Sequence, residues 1–394
     1  MSITTTDTLH LVALLASGQW SPDSQQTSRV LRYEEIDWRE LVLLAQQHGM
    51  GPLLLANLQR AQVARFMENY GAPLQVERAE VAVHFLLATE VQRKVEVALA
   101  RAGVRGMWLK GIVLARSVYP SPELRPMVDV DVLVPFEQRK EALAAVNGVG
   151  FGLEKSLLFD GRDGLKHHYY LQSTTNHQIS LELHFRLLGA LDRLLSLEDQ
   201  SWFWNQTMVQ ELPDGARVTV LRPESHLLYL CAHAILQHGE GDLRLLRYYD
   251  LDRLVVTTTN FDWGLVLDGA RQLRWTYAAQ RALEIAQAYF HTPLPDGLLA
   301  DLATMRPESE REDYAQRRKM RRTTTQTVID DLFAMGWSDR VRAATRIVLP
   351  PPSYMRWRYG LTSTRGLPGA YFRRVRRIGS DILVSMRPKR KSDV

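Results

Sequence analysis

Strict alternation along the chain is clearest at Val128-Asp129-Val130-Asp131-Val132-Leu133-Val134, where period-two geometry puts Asp129, Asp131 and Leu133 on one face of a strand and the valines on the other. Upstream the pattern is helical. Asp37, with Glu40 three residues on, makes a capping-box-like start for Leu41, Leu43, Leu44 and Ala45, and Gly49, Gly51 and Pro52 interrupt that helix before Leu53 to Leu58 resume it. After Pro73 comes a longer helix with Val81, Phe85, Val91, Val95 and Leu99 inward, closed by Gly103. Val104 to Leu109 predicts a short strand, Ile112 to Tyr119 one to two helical turns ended by Pro120 and Pro122, and Glu137 to Asn147 a helix ending at Gly148.

Further on, His167 to Gln172 and Gln178 to Phe185 predict a β-hairpin whose second arm carries Ser180, Glu182, His184 and Arg186 on one face. A small β segment is expected at Ala216 to Leu221, then helices from Pro223 to about Leu299 with breaks at Gly239-Glu240-Gly241 and Pro293 to Pro295, and another from Thr325 to Ile347. Together these elements give an α/β (α+β) chain: a helical region over 1–103, a small mixed-sheet core over 104–222, a helical domain over 223–350 and, past Pro350-Pro351-Pro352, a tail over 351–394.

The apolar content of 45% and charged content of 24% are those of a globular chain, with no apolar run of membrane-spanning length and no basic-then-apolar leader at Met1 to Asp7, so a cytoplasmic location is expected. Cys231 is the single cysteine, which excludes an intramolecular disulfide and a cysteine-rich zinc site. The formal charge of +5 conceals an asymmetry: the tail holds eleven Arg or Lys against two Asp, leaving the rest of the chain mildly acidic. Trp357, Tyr359, Tyr371 and Phe372 interleave with the tail arginines, a composition that suits polyanion contact and, more simply, a partly disordered solubilising end.

Two carboxylates about 4 Å apart repel by about 4 kcal/mol at an effective dielectric near 20, so Asp129 and Asp131 on one face call for a cation between them. A third acid, Glu182, joins them only if its strand lies beside theirs. Oxygen-only ligands favour Mg2+ or Mn2+, and Gly111 at a helix start offers free backbone N–H groups to phosphates. Lys110 and Arg125 are candidate phosphate ligands, with ordinary surface cations as the plain alternative, and His184 is either a group orienting the acceptor or a satisfied histidine. Asp250, flanked at helical spacing by Arg247 and Arg253, reads as an intrahelical ion pair; His226 and His233 read as structural, and Trp202, Phe203 and Trp204 as cover for a core.

Leu109-Lys110-Gly111, Arg125 ahead of the Asp129–Asp131 strand, and Leu181-Glu182-Leu183-His184-Phe185 resemble the polymerase-β-like nucleotidyltransferase superfamily, and more narrowly the bacterial group called uncharacterised nucleotidyltransferases. Flanking likeness at Leu44 to Gly49, His238 to Asp250 and Asp262-Trp263 extends the resemblance to roughly residues 30 to 300. Lys-Gly stands where the superfamily has Gly-Ser or Gly-Gly, and seventeen residues separate Gly111 from Asp129. The resemblance implies that Asp129, Asp131 and Glu182 are the catalytic and metal-holding residues and that Lys110, Gly111, Arg125 and His184 contact the NTP. It also implies Mg2+ or Mn2+ as cofactor and transfer of a nucleoside monophosphate to a hydroxyl of a small molecule, peptide or protein, releasing pyrophosphate. Two rival expectations are a non-catalytic polyanion-binding module with a degenerate site and a two-metal phosphohydrolase.

Overall fold

The computed structural model describes residues 5–18, 36–61, 63, 66–153, 167–173, 179–188, 197–212, 215–310, 337–361 and 363–385. Helices α1 (Thr5–Ser17), α2 (Trp38–Gln47), α3 (Gly51–Arg60) and the long α4 (Ala72–Arg101) lead into strand β1 (Met107–Leu109) and helix α5 (Lys110–Ser117). Strand β2 (Asp129–Leu133), helix α6 (Arg139–Gly148), strands β3 (Phe151–Leu153), β4 (His168–Ser173) and β5 (Ser180–His184), helix α7 (Leu197–Asn205) and strands β6 (Thr207–Glu211) and β7 (Arg217–Leu221) complete the sheet region. Helices α8 (Pro223–Ala232), α9 (Leu245–Thr257), α10 (Trp263–Gln272), α11 (Thr276–Phe290) and α12 (Leu298–Thr304) follow, then α13 (Trp337–Val348), α14 (Pro352–Arg358) and α15 (Leu367–Ser385).

Local chemistry accounts for several boundaries. Asp37 Oδ1 accepts from the Glu40 backbone N–H at 3.0 Å and caps α2, as its spacing predicts. Pro73 occupies the first turn of α4, where its missing N–H costs nothing, and Gly103 beyond the end takes φ +67°.

The seven strands form one mixed sheet in the order β3-β4-β5-β2-β1-β7-β6. β2 pairs parallel with β5 and antiparallel with β1, so the Asp-x-Asp strand sits centrally. Alternation then assigns the two faces. Trp108, Val130, Val132, Leu181, Leu183 and Val220 pack with Ala88, Val95 and Leu99 of α4 and Ala142 and Val146 of α6. On the opposite face Met107, Leu109, Leu133 and Leu221 join a second core built from both α1–α3 and α8–α12. The helices before and after the sheet therefore share one hydrophobic core on the face that carries Asp129 and Asp131.

β3 and β6 are additions to the predicted elements; each is a short strand near a sheet end, β6 with Met208 and Val209 exposed, so neither shows the half-buried alternation that betrays a strand. The described part of the tail folds rather than remaining disordered: α14 and α15 close over Tyr354, Met355 and Ala370, while residues 386–394 lie outside the described set, as does the segment 325–336 of the helix expected to begin at Thr325. Cys231 is buried, as its apolar neighbours imply. Among the described residues no helix is long and apolar enough to cross a membrane.

Candidate functional site

Register decides the site. In the parallel β2/β5 pair Asp131 stands opposite Glu182 and Asp129 opposite Ser180, and in the antiparallel β4/β5 pair His168 stands opposite His184. Directly opposed residues share a face, so Asp131, Glu182, His184 and His168 converge over three neighbouring strands, with Asp129 one pleat away at the mouth. On the other side of β2, Leu109 pairs with Asp131, and the chain turns at Lys110 into α5.

That turn has an unusual backbone. Lys110 adopts φ +45°, a left-handed conformation that costs a β-carbon-bearing residue roughly 1–2 kcal/mol and that a glycine takes freely. The sequence places Lys where the superfamily has Gly, and the side chain supplies a reason: Lys110 Nζ donates to Asp131 Oδ1 at 2.8 Å. Gly111 follows because the space is filled; a β-carbon there would sit 3.0 Å from Arg125 Nη1 and 3.2 Å from Met127 Cβ.

The acids already have partners. His184, 1% exposed, bridges Asp131 Oδ1 at 2.9 Å and Glu182 Oε2 at 3.0 Å through Nε2. Burial pushes the Asp131 carboxyl up, but Lys110 and His184 outweigh it and hold the group well below the usual carboxylate range. Glu182 is lowered on balance too, burial being overcome by the His184 hydrogen bond, and His184 is raised by Asp131 and Glu182 against its own burial. Asp129 has no such cation in contact: loss of water, then Asp131 and Glu182, push its carboxyl up to about 7. The arrangement is two carboxylates held by the Lys110 ammonium and the His184 imidazole, with Asp129, pushed up to about 7, beside them. A divalent cation fits this donor set, because it would return Asp129 to the carboxylate form. The donor atoms of Asp131, Glu182 and His184 lie within 4.8 Å of one another; Asp129 stands outside that group, on the pocket lining.

Above the acids opens a pocket of about 280 Å³. Helix α8 continues into a wide π-helical turn, His233–His238, which carries His233, Gln237 and His238 to its wall. Arg244 and Arg247, at the start of α9, also line the pocket, and Arg247 shares the Asp242 carboxylate with His238. Burial and the neighbouring Arg247 and Arg125 charges lower the Arg244 pKa, and its buried Nε has no hydrogen-bond partner. Like charges crowded at a helix N-terminus favour an anion.

Of the residues singled out in the sequence, Lys110, Gly111, Asp129, Asp131, Glu182 and Arg125 all line this pocket, and His184 lies beneath it, holding the acids. Arg125 is anchored: its Nε and Nη2 donate to Asp250 at 2.8 and 2.7 Å, and Tyr119 Oη donates to the same carboxylate at 2.7 Å. The intrahelical pair expected for Asp250 is therefore absent. Arg247 instead bonds Asp242 and Arg253 donates to the Val118 carbonyl, because α9 turns its Asp250 face to the sheet and not to solvent. His233, which reads as structural in the sequence, reaches the pocket, as do His168, His238 and Arg244, which periodicity does not mark, and Arg247, which helical spacing assigns to Asp250. The likeness over His238 to Asp250 covers His238, Arg244 and Arg247, and His168 and His233 lie outside it.

A mixed sheet that presents Asp-x-Asp and a third acid on adjacent strands, with a glycine-opened helix at the edge of the same pocket, defines the nucleotidyltransferase class. The chain belongs to the uncharacterised nucleotidyltransferase family, whose sequence signature matches residues 34–291. No curated protein matches it.

Proposed function

We propose that this protein transfers a nucleoside monophosphate from an NTP to a hydroxyl of a small molecule, peptide or protein and releases pyrophosphate, with Mg2+ or Mn2+ as cofactor. One observation carries the reading: the pocket is bipolar, lined by Asp129, Asp131 and Glu182 and by Arg244 and Arg247. A metal–triphosphate complex needs both signs of charge within a few ångströms, and a plain anion site or a plain metal site needs one.

Asp129, Asp131 and Glu182 would hold the divalent ion, which when bound neutralises phosphate charge and lowers the pKa of the acceptor hydroxyl. The chain's own residues do the rest. Arg244, Arg247 and the N-terminus of α9 grip the triphosphate and fix its direction, leaving the α-phosphorus over the acids. His184 keeps Asp131 and Glu182 oriented, and Lys110, which bonds Asp131 on the pocket lining, would meet phosphate oxygens as a point charge. Arg125 supports Gly111 from behind through its anchor on Asp250.

The test is incubation of the protein with each α-labelled NTP, Mg2+ and a cell extract. Pyrophosphate plus a labelled acceptor supports the proposal. Free phosphate without a labelled acceptor favours a phosphohydrolase, and NTP left intact in every extract favours a binding module.

A further inference from the structure

Nucleotidyl transfer as proposed uses the carboxylates, with His184 orienting two of them, and leaves His167 and His168 beside them without a task. His168 Nδ1 and His167 Nε2 approach to 2.8 Å, and the His184 ring lies 5.5 Å from His167 and 5.0 Å from His168 between centroids. One nitrogen from each of the three rings falls within 4.8 Å of the other two. A contact of 2.8 Å between two ring nitrogens requires one of them to be bare, so the pair already presents a lone pair to its neighbour and not two protons.

We infer that His167, His168 and His184 form a nitrogen-donor site for a late first-row transition ion of the Zn2+ or Co2+ kind, separate in chemistry from the carboxylates. Imidazole suits these ions, whereas Mg2+ takes oxygen and keeps its waters. Metal–nitrogen bonds of about 2.0–2.1 Å in tetrahedral geometry place ligand atoms roughly 3.3 Å apart, close to the 2.8 Å between the His167 and His168 nitrogens. The surroundings are those that orient ligating histidines. Glu182 Oε1 lies 3.5 Å from His168 Nε2, on the far side of the ring from His167, and Glu182 Oε2 with Asp131 Oδ1 does the same for His184. Register builds the site: His168 and His184 are cross-strand partners, and His167 sits at the entry to β4.

The inference stands whether or not the protein transfers nucleotides, and its test uses none. The full-length chain, freed of metal, is titrated with Co2+ and followed by its visible ligand-field bands. Wild type is expected to give the intense spectrum of tetrahedral nitrogen coordination at one equivalent. His167→Ala is expected to weaken Co2+ binding by about tenfold or more, and Asp129→Asn to leave it within about twofold. His168→Gln, checked for native circular dichroism, repeats the measurement should His167→Ala fail to fold. A pale octahedral spectrum from wild type, or Co2+ affinity unchanged in the folded histidine variants, overturns the inference.

Discussion

Removing the Lys110 side chain tests the charge balance of the site in one residue. The ammonium is 2.8 Å from Asp131 Oδ1, a gross attraction of about 6 kcal/mol at an effective dielectric near 20. Truncation leaves Asp131, 1% exposed, with the His184 imidazole still in contact at 2.9 Å. Breaking a buried pair costs about 3–5 kcal/mol, and the surviving His184 contact places Lys110→Ala near the lower end, about 3 kcal/mol. Backbone strain separates two variants. Alanine keeps the penalty of φ +45°, whereas glycine removes it, so Lys110→Gly should lose about 1 kcal/mol less. In thermal unfolding of a chain of 394 residues these losses correspond to midpoints lower by about 3–4 °C for alanine and about 2–3 °C for glycine. Mg2+ should raise the midpoint more in either variant than in wild type, because the ion replaces the missing ammonium with no internal competitor; at about 100 times its Kd it adds roughly 2.7 kcal/mol. Scanning fluorimetry with and without Mg2+ reads all three numbers. The reasoning is refuted if Lys110→Ala melts with wild type, or if glycine is no better than alanine.

Asp131→Ala should lower Mg2+-dependent NTP turnover by about a hundredfold to a thousandfold with the native circular dichroism retained, and near-wild-type turnover in a clean preparation would remove the carboxylates from the mechanism. Asp129, pushed up to about 7, binds a proton in the native state that the unfolded chain has lost above its ordinary carboxylate pKa. Metal-free stability should therefore fall as pH rises from about 4 to 7, at up to about 1.4 kcal/mol per unit, and denaturant titrations of Asp129→Asn should show that slope flattened. Asp250→Ala, which strands the buried Arg125 guanidinium, should cost about 3–5 kcal/mol, and Arg125→Met/Asp250→Leu should recover much of it; a double variant as unstable as the single would contradict this in urea unfolding. Arg244→Ala should raise the KM for NTP about tenfold with kcat little changed, and steady-state kinetics showing the reverse would take Arg244 out of triphosphate binding. Ending the chain before Pro351 should leave turnover as it is, since α14 and α15 carry their own small core; a large drop would assign the basic tail a part in the reaction.

Legibility varied with how local the deciding interaction was. The alternation through Asp129 and Asp131 and the caps at Asp37 and Gly103 are settled within one or two turns of chain, and each appears in the structure where the sequence puts it. The hairpin arms β4 and β5 were legible for the same reason, and so was the burial of Cys231. Asp250 was misread because helical spacing offered Arg247 and Arg253, while its partners come from 125 and 131 positions away. His233 reads as structural and His238 carries no periodic signal because a π-helical turn, not the regular 3.6-residue period, brings both to the pocket.

By itself the sequence determined which residue types were present for the chemistry and which face of each strand they occupied, since a period of two leaves no other choice. Tertiary structure decided who meets whom. The parallel β2/β5 register set Glu182 and His184 against Asp131, the turn at Lys110 delivered an ammonium to the acids, and α9 brought a basic wall over them. Those outcomes depend on contacts between segments far apart in the chain, which hydrogen-bond register and shared core packing fix only once the whole sheet and its helices have formed.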